Sequence, residues 1–94
     1  MTKYKLSNEA KEDLIRIHQY GIKRFGMNQA DKYFDSFFDY FEIIAKRPLS
    51  FEAVDFIKPG YRRCVSGVDT IYFRIADDVV EIMTIIGRQD LNQL

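Results

Sequence analysis

Residues 59–74 have the sequence PGYRRCVSGVDTIYFR, in which two extended runs flank a Ser-Gly pair. The runs, 61–65 and 70–75, are rich in β-branched and aromatic residues, and a Ser-Gly pair between such runs is typical of a tight turn. A third run follows at 79–86, and its apolar residues occupy both of its faces. The pattern predicts a three-stranded antiparallel meander whose last strand is central in the sheet.

Upstream of the meander, the first part of the chain predicts a strand followed by a helix. Residues 3–7 look extended, and Ser7 offers a hydroxyl that can cap a helix beginning near Glu9. Apolar side chains then recur at spacings of three and four as far as Phe25, and the following Gly26 is typical of a helix terminator. We therefore expect a short N-terminal strand and a first amphipathic helix.

A second helix is predicted from Asn28, a capping residue type, to Arg47, because the following Pro48 disfavours helical geometry at Arg47. Its apolar stripe consists of Ala30, Phe34, Phe37, Phe41 and Ile44. The brief link between the two helices predicts an antiparallel hairpin. Residues 48–60 hold both prolines and predict an irregular connection with room for one helical turn.

The order of these elements predicts the fold class. Strand, helix, helix and three strands indicate an α+β fold, in which an antiparallel helical hairpin packs on a mainly antiparallel sheet that ends in a C-terminal meander. A length of 94 residues suits one small domain, 1–94, and a hydrophobic content of 47% argues against disorder.

Charge and composition exclude several classes of function. Fourteen basic residues balance fourteen acidic ones, so we expect no direct sequence-specific nucleic-acid binding. No stretch approaches about 18 uninterrupted apolar residues, so we expect no membrane partner. The single Cys64 and the lack of an early apolar run predict a cytoplasmic location. One cysteine and one histidine supply no cluster of metal ligands, so we expect neither a metal nor a cofactor. The histidine, His18, is interpreted as a partly covered helix residue rather than a catalytic base.

Several short motifs occur in a fixed order along the chain. They are Leu6-Ser7, Phe25-Gly26, Pro59-Gly60-Tyr61-Arg62-Arg63, Ile71-Tyr72-Phe73-Arg74 and Gly87-Arg88-Gln89-Asp90. In this order and spacing they resemble the ParE branch of the RelE/ParE toxin superfamily. The resemblance implies a RelE/ParE-like fold and a toxin of a bacterial type II toxin–antitoxin system. It also implies a ParD-like antitoxin, whose C-terminal segment wraps the toxin, and compatibility with a higher-order toxin–antitoxin assembly.

The resemblance implies a mode of action as well. ParE-branch toxins inhibit DNA gyrase by binding it and stabilising its cleaved complex with DNA, whereas RelE-branch toxins cleave ribosome-bound mRNA. No His or Tyr follows Tyr72, which favours binding without catalytic residues over acid–base chemistry. A ribosome-dependent mRNA endoribonuclease is the alternative. A module that has lost toxicity and only binds its antitoxin is a further alternative.

The candidate residues for contacts with antitoxin or target are Arg62, Arg63, Arg74, Arg88, Tyr61 and Tyr72. Because side chains alternate along a strand, Arg62 and Arg63 should point to opposite faces of the sheet. An arginine here can anchor an acidic group through a bidentate contact, or it can blunt an exposed edge strand. Outside the stripe of the second helix, Tyr33, Phe38 and Tyr40 predict an exposed apolar patch for antitoxin docking or self-association.

Overall fold

The computed structural model describes residues 3–87, and within them the predicted α+β fold is confirmed. The elements are β1 (Tyr4–Leu6), α1 (Asn8–Phe25), α2 (Met27–Lys46), a 3₁₀ turn (Pro48–Ser50), β2 (Glu52–Ala53), β3 (Arg62–Ser66), β4 (Asp69–Ala76) and β5 (Val79–Gly87). The five strands form one sheet of order β1-β5-β4-β3-β2. Neither helix in this part of the chain is long and apolar enough to cross a membrane.

Strand β5 is central, as its two apolar faces predict. It pairs antiparallel with β4 on one side and parallel with β1 on the other, where Tyr4 is in register with Val80 and Leu6 with Ile82. The register of the pairing between β4 and β5 shifts between Tyr72 and Phe73, where the ladder has a bulge or irregularity. The sheet is therefore antiparallel except for its N-terminal strand.

Ser7 sets where the first helix of the hairpin begins, and Gly26 sets where the first helix ends and the second begins. Ser7 caps α1 as predicted, since its hydroxyl accepts a hydrogen bond from the Ala10 N–H at 3.0 Å. The prediction that Asn28 caps α2 is wrong, because α2 begins at Met27 and Gly26 precedes it without a side-chain cap. Gly26 has a φ of 91°, which lets this single residue end α1 and begin α2. Because the chain changes direction at Gly26 alone, no turn precedes α2 in which Asn28 could serve as its cap.

The main core lies between the helical hairpin and one face of the sheet. Phe37, Phe41 and Ile44 of α2 are fully buried there, against sheet residues that include Ile71, Phe73, Ile82 and Ile85. The predicted stripe is correct at these three positions and at Ala30, which is also buried. Phe34, in contrast, is only partly buried, and its ring packs 5.1 Å from the His18 ring and 5.4 Å from the Phe38 ring.

The two helices approach each other closely along part of the hairpin. A Cβ atom placed on Gly21 of α1 would lie 3.2 Å from the Cβ of Ala30 in α2. Nearby, His18 Nε2 lies 2.7 Å from Asp31 Oδ1, so His18 is a partly covered residue that joins the helices, as interpreted from the sequence. Small side chains and one polar contact therefore set the spacing of the hairpin.

The connection between α2 and β3 holds a strand that was not predicted. Its 3₁₀ turn at Pro48–Ser50 fits the expected helical turn, but β2 (Glu52–Ala53) then adds an edge to the sheet by pairing with Arg62 and Arg63. Past β2, Val54 is fully buried in a second, smaller cluster with Tyr72 and Ile86. This cluster covers part of the sheet face that points away from the helices.

Ser7, the N-cap of α1, and side chains of α1 itself form hydrogen bonds to the edge of β5 beyond the end of β1. The Ser7 hydroxyl donates to the Met83 carbonyl oxygen at 2.7 Å. Asp13 Oδ2 accepts from the Ile85 N–H at 3.0 Å and from the Thr84 hydroxyl at 2.9 Å. Arg16 donates to the Ile85 carbonyl oxygen at 3.3 Å. These groups replace the hydrogen bonds that a neighbouring strand would make, and they attach α1 to the sheet.

Replacing Asp13 by Ala is expected to destabilise the fold by about 1–3 kcal/mol, because it leaves the Ile85 N–H without its acceptor. Urea unfolding of the purified variant measures this change. The matched control is Glu12→Ala, which removes an exposed carboxylate from the same turn of α1 and should change stability by less than about 0.5 kcal/mol. Equal effects of the two substitutions would contradict the role assigned to Asp13.

Candidate partner-binding groove

Arg62 and Arg63 lie on opposite faces of β3, as the alternation predicts. Arg62 is in register with Phe73 on the face that the helices cover, and its Nη1 donates to the Phe51 carbonyl oxygen at 2.7 Å. Arg63 lies on the other face, where its Nε and Nη2 donate to the two carboxylate oxygens of Glu52 at 2.8 and 3.2 Å. Both side chains therefore tie the connection after α2 to the sheet.

Of the two remaining predicted arginines, the structure describes Arg74 but not Arg88. Arg74 Nε donates to Glu81 Oε1 at 3.0 Å, and Lys5 Nζ lies 3.6 Å from the other oxygen of the same carboxylate. Arg88 lies outside the described residues, so its contact with a partner stays a prediction. Among the described members of the predicted set, each arginine is bonded to an acceptor of its own chain, which reduces its capacity for a new anion.

The two predicted tyrosines meet on the sheet face away from the helices. Tyr72 is 3% exposed and Tyr61 is partly buried against it. They line a pocket of about 210 Å³ that also contains Glu9 and Lys58, whose Nζ lies 5.5 Å from the centre of the Tyr61 ring. The structure brings the tyrosines together with Arg63, which is in register with Tyr72 on the neighbouring strand. The hydrogen bonds between Arg63 and Glu52 are the largest cause that raises the pKa of the Arg63 guanidinium. Arg62 lies on the other face.

A larger groove, which the sequence reasoning missed, lies between the helices and the β3–β4 turn. It has a volume of about 410 Å³, and the C-terminal half of α1, the N-terminal half of α2 and Val68 of the turn line it. Tyr20, Phe25 and Val68 are 52%, 66% and 62% exposed there. Exposed apolar side chains gathered in a concavity are typical of a protein-binding site. The sequence feature that could have indicated the groove is the presence of Tyr20 and Phe25, two large apolar residues that are not required to fill the core.

The floor of the groove is made by small residues. Gly21 and Ala30 line it at the point where the two helices come close together. Because neither residue carries a large side chain, they leave space between the helices that the rings of Tyr20 and Tyr33 also line. Most of the lining is aliphatic or aromatic side chains and glycine, which suits apolar contact. Among residues 3–87, no group of three or more His, Cys, Asp or Glu side chains could hold a metal ion.

Tyr33 forms a polar wall of the groove. Its hydroxyl lies 2.6 Å from Asp69 Oδ2 and 3.0 Å from the Ser66 carbonyl oxygen. Burial, followed by the hydrogen bond with Asp69, raises the pKa of the Tyr33 phenol well above its ordinary value, so the hydroxyl stays protonated. The predicted exposed patch of Tyr33, Phe38 and Tyr40 is wrong, because all three rings are partly buried against the main core. Only Tyr33 of the three lines the groove.

Comparison with known proteins identifies the family. The profile described as "ParE toxin of type II toxin-antitoxin system, parDE" matches residues 4–91. The chain belongs to the ParE toxin family. Toxin ParE1 of Caulobacter vibrioides is 36% identical over 75 residues, which cover 80% of this chain and 78% of that protein. Toxin ParE1 of Mycobacterium tuberculosis is 30% identical over 86 residues, covering 87% and 88%.

A solved structure agrees with this assignment at the level of the fold. The structure titled "Chromosomal ParDE TA system from P. aeruginosa" superposes with a TM-score of 0.82, covering 93% of this chain and 96% of that chain at 18% identity. The ParE toxin fold is thus retained although most side chains differ.

Replacing Gly67 by Ala is expected to destabilise this ParE-family chain through two effects. Gly67 has a φ of 63°, and a Cβ atom there would lie 3.3 Å from the Tyr33 hydroxyl oxygen. The control is Gly60→Ala, where φ is 82° but nothing lies within 4 Å, so only the backbone cost of about 1–2 kcal/mol applies. We expect Gly67→Ala to cost ~1 kcal/mol more than this control in urea unfolding. Equal costs would show that Tyr33 does not press on the turn.

Proposed function

We propose that this chain acts by binding, as a toxin that inhibits DNA gyrase and stabilises its cleaved complex with DNA, and that a ParD-like antitoxin neutralises it. The observation that carries the antitoxin part is the apolar groove of about 410 Å³ between α1, α2 and the β3–β4 turn. Membership of the ParE family supports the gyrase part. We place this action in the cytoplasm and assign it to a single domain, 1–94.

The shape of the groove supports an apolar peptide segment as its occupant. Two helices with small residues at their contact form its floor, and exposed rings of Tyr20 and Phe25 form its sides. Such a surface suits an amphipathic helix that inserts apolar side chains at spacings of three and four residues. Burying these exposed rings would stabilise a complex at about 25 cal/mol for each Å² of apolar surface removed from water, before the cost of association.

The described side chains support binding rather than RNA cleavage. An mRNA-cleaving toxin needs a proton acceptor, a proton donor and cations around one phosphate. Here Arg63 and Arg74 are engaged by Glu52 and Glu81. His18 lies in α1 against Asp31, away from the predicted arginines of the sheet. Cys64 is 5% exposed, and burial raises the pKa of its thiol, which disfavours the reactive thiolate.

Val68→Glu is expected to weaken binding of the ParD-like antitoxin at least tenfold, because it places a charge in the apolar groove. Val68 is 62% exposed, so the substitution should leave the fold intact. The matched control is Val65→Glu, since Val65 is 65% exposed on β3 but does not line the groove. Isothermal titration calorimetry with each variant measures the affinities. If both variants bind as the parent chain does, the groove is not the antitoxin site.

The gyrase proposal has a direct test. Purified chain, added to DNA gyrase and supercoiled plasmid, should increase the fraction of cleaved plasmid after protein denaturation, and addition of the antitoxin should abolish the increase. The same preparation is added to a translating extract to measure cuts in mRNA. Unchanged gyrase activity with cut mRNA would establish the endoribonuclease alternative. No effect in either assay, with antitoxin binding intact, would establish a non-toxic binding module.

A further inference from the structure

We propose that Tyr33 is a positioning residue of the antitoxin site. Its hydroxyl holds the β3–β4 turn against α2, so that Val68 already stands in place as a wall of the groove before the antitoxin binds. The inference rests on the proposed function and assigns a role within that site. The sequence predicted Tyr33 as part of an exposed patch, whereas the structure places its ring in the groove and its hydroxyl at the turn.

Val68 is an unusual residue for the turn that it occupies. Gly67 has a φ of 63°, which suits the first position of a tight hairpin turn. The position after such a glycine commonly holds a small polar residue, whereas Val68 is apolar and 62% exposed. The other hairpin turn of the meander has the polar pair Asp77-Asp78. The turn itself does not require an apolar side chain at position 68, but the groove uses one there.

The Tyr33 hydroxyl reaches both residues that frame this turn. Ser66, which ends β3, and Asp69, which begins β4, are paired in register. The hydroxyl lies 2.6 Å from Asp69 Oδ2 and 3.0 Å from the Ser66 carbonyl oxygen. A tyrosine hydroxyl carries one proton, so it donates to the charged carboxylate, and the carbonyl oxygen lies within reach as a second acceptor. One group of α2 is therefore placed to fix both ends of the turn.

The surroundings of the turn leave much of this task to Tyr33. Within residues 3–87, the Ser66 hydroxyl is buried without a hydrogen-bond partner. Val68 is largely exposed in the free chain, so its apolar contacts contribute little to holding the turn. A Cβ atom on Gly67 would lie 3.3 Å from the Tyr33 hydroxyl oxygen, so the turn backbone packs directly on the phenol. The distance between the turn and α2 is thus set at Tyr33.

Holding the turn before binding raises the affinity for the antitoxin. If a binding surface is complete for only a fraction of the time, the apparent Kd rises by the inverse of that fraction. Removing the Tyr33 hydroxyl keeps the ring in the groove but releases the turn. A turn that stays in position for about a tenth of the time would bind about tenfold more weakly. A wall that is already ordered also loses less entropy on binding.

The test compares Tyr33→Phe with Tyr40→Phe in calorimetric titrations with the ParD-like antitoxin encoded beside this gene. Tyr40 is the matched control, because it is a partly buried tyrosine of α2 that does not line the groove. Tyr33→Phe should raise the Kd about tenfold, and Tyr40→Phe should stay within about twofold of the parent chain. Asp69 is kept unchanged, since it takes part in a further interaction besides that with Tyr33. Circular dichroism verifies that each variant is folded at the temperature of the titration.

Two further measurements separate positioning from a general loss of stability. In a Val68→Ala background, Tyr33→Phe should weaken binding by less than about twofold, because the side chain through which it acts has been removed. In the free chain, NMR relaxation should give the Val68 amide an order parameter of about 0.85 in the parent and below about 0.6 in Tyr33→Phe. The amide of Asp78, in the other hairpin turn, should not change.

The outcomes distinguish this inference from the proposed function. If Tyr33→Phe binds like Tyr40→Phe, or loses as much affinity in the Val68→Ala background as in the parent, the inference is overturned while the antitoxin site stands. An order parameter below about 0.6 at Val68 in the free parent chain also overturns it, whether or not Tyr33→Phe folds. If the parent chain does not bind the antitoxin, or Val68→Glu binds it unchanged, the proposed function itself fails.

Discussion

The requirement that both edges of β5 be hydrogen-bonded governs the rest of the structure. On one side β4 pairs along its whole length, but on the other β1 is only three residues long. Beyond Leu6 the edge is completed by Ser7 and Asp13 of α1. The first helix is thus held to the sheet at its N-terminal half. Its C-terminal half extends with α2 over the β3–β4 turn, and this arrangement forms the groove.

The elements that the sequence predicted are those with a local signal. The apolar periodicity of α2 and the runs of β-branched, aromatic and other apolar residues in β4 and β5 depend on neighbouring residues, so these elements could be located to within a residue or two. Strand β2 has no such signal, because two residues, Glu52 and Ala53, become a strand only through pairing with β3. The prediction that Asn28 caps α2 was wrong for a related reason. It assumed a turn between the helices, and the conformation of Gly26 removes that turn.

The candidate site was harder to predict because it depends on contacts between distant segments. The sequence identified Arg63 and Arg74 as candidate contact residues, and the predicted alternation of Arg62 and Arg63 between faces was correct. The pairing of Arg63 with Glu52 and of Arg74 with Glu81 is set by strand register. The groove needs Gly21 to meet Ala30 across the hairpin and Val68 to reach the helices from the sheet. No local sequence pattern encodes these contacts between separate segments of the chain. The sequence does contain more large apolar side chains than the core can bury.

The contact between Ser7 and Met83 joins residues that are 76 positions apart. Contacts of such long separation form late, since the chain must close a large loop before they stabilise it. On the ribosome β5 is synthesised after every other described element, so α1 has no sheet edge to dock on until then. The helices that wall the groove are made early, but they are fixed in place only after β5 has been synthesised. A partner that recognises the finished groove must therefore meet a toxin chain that already includes β5.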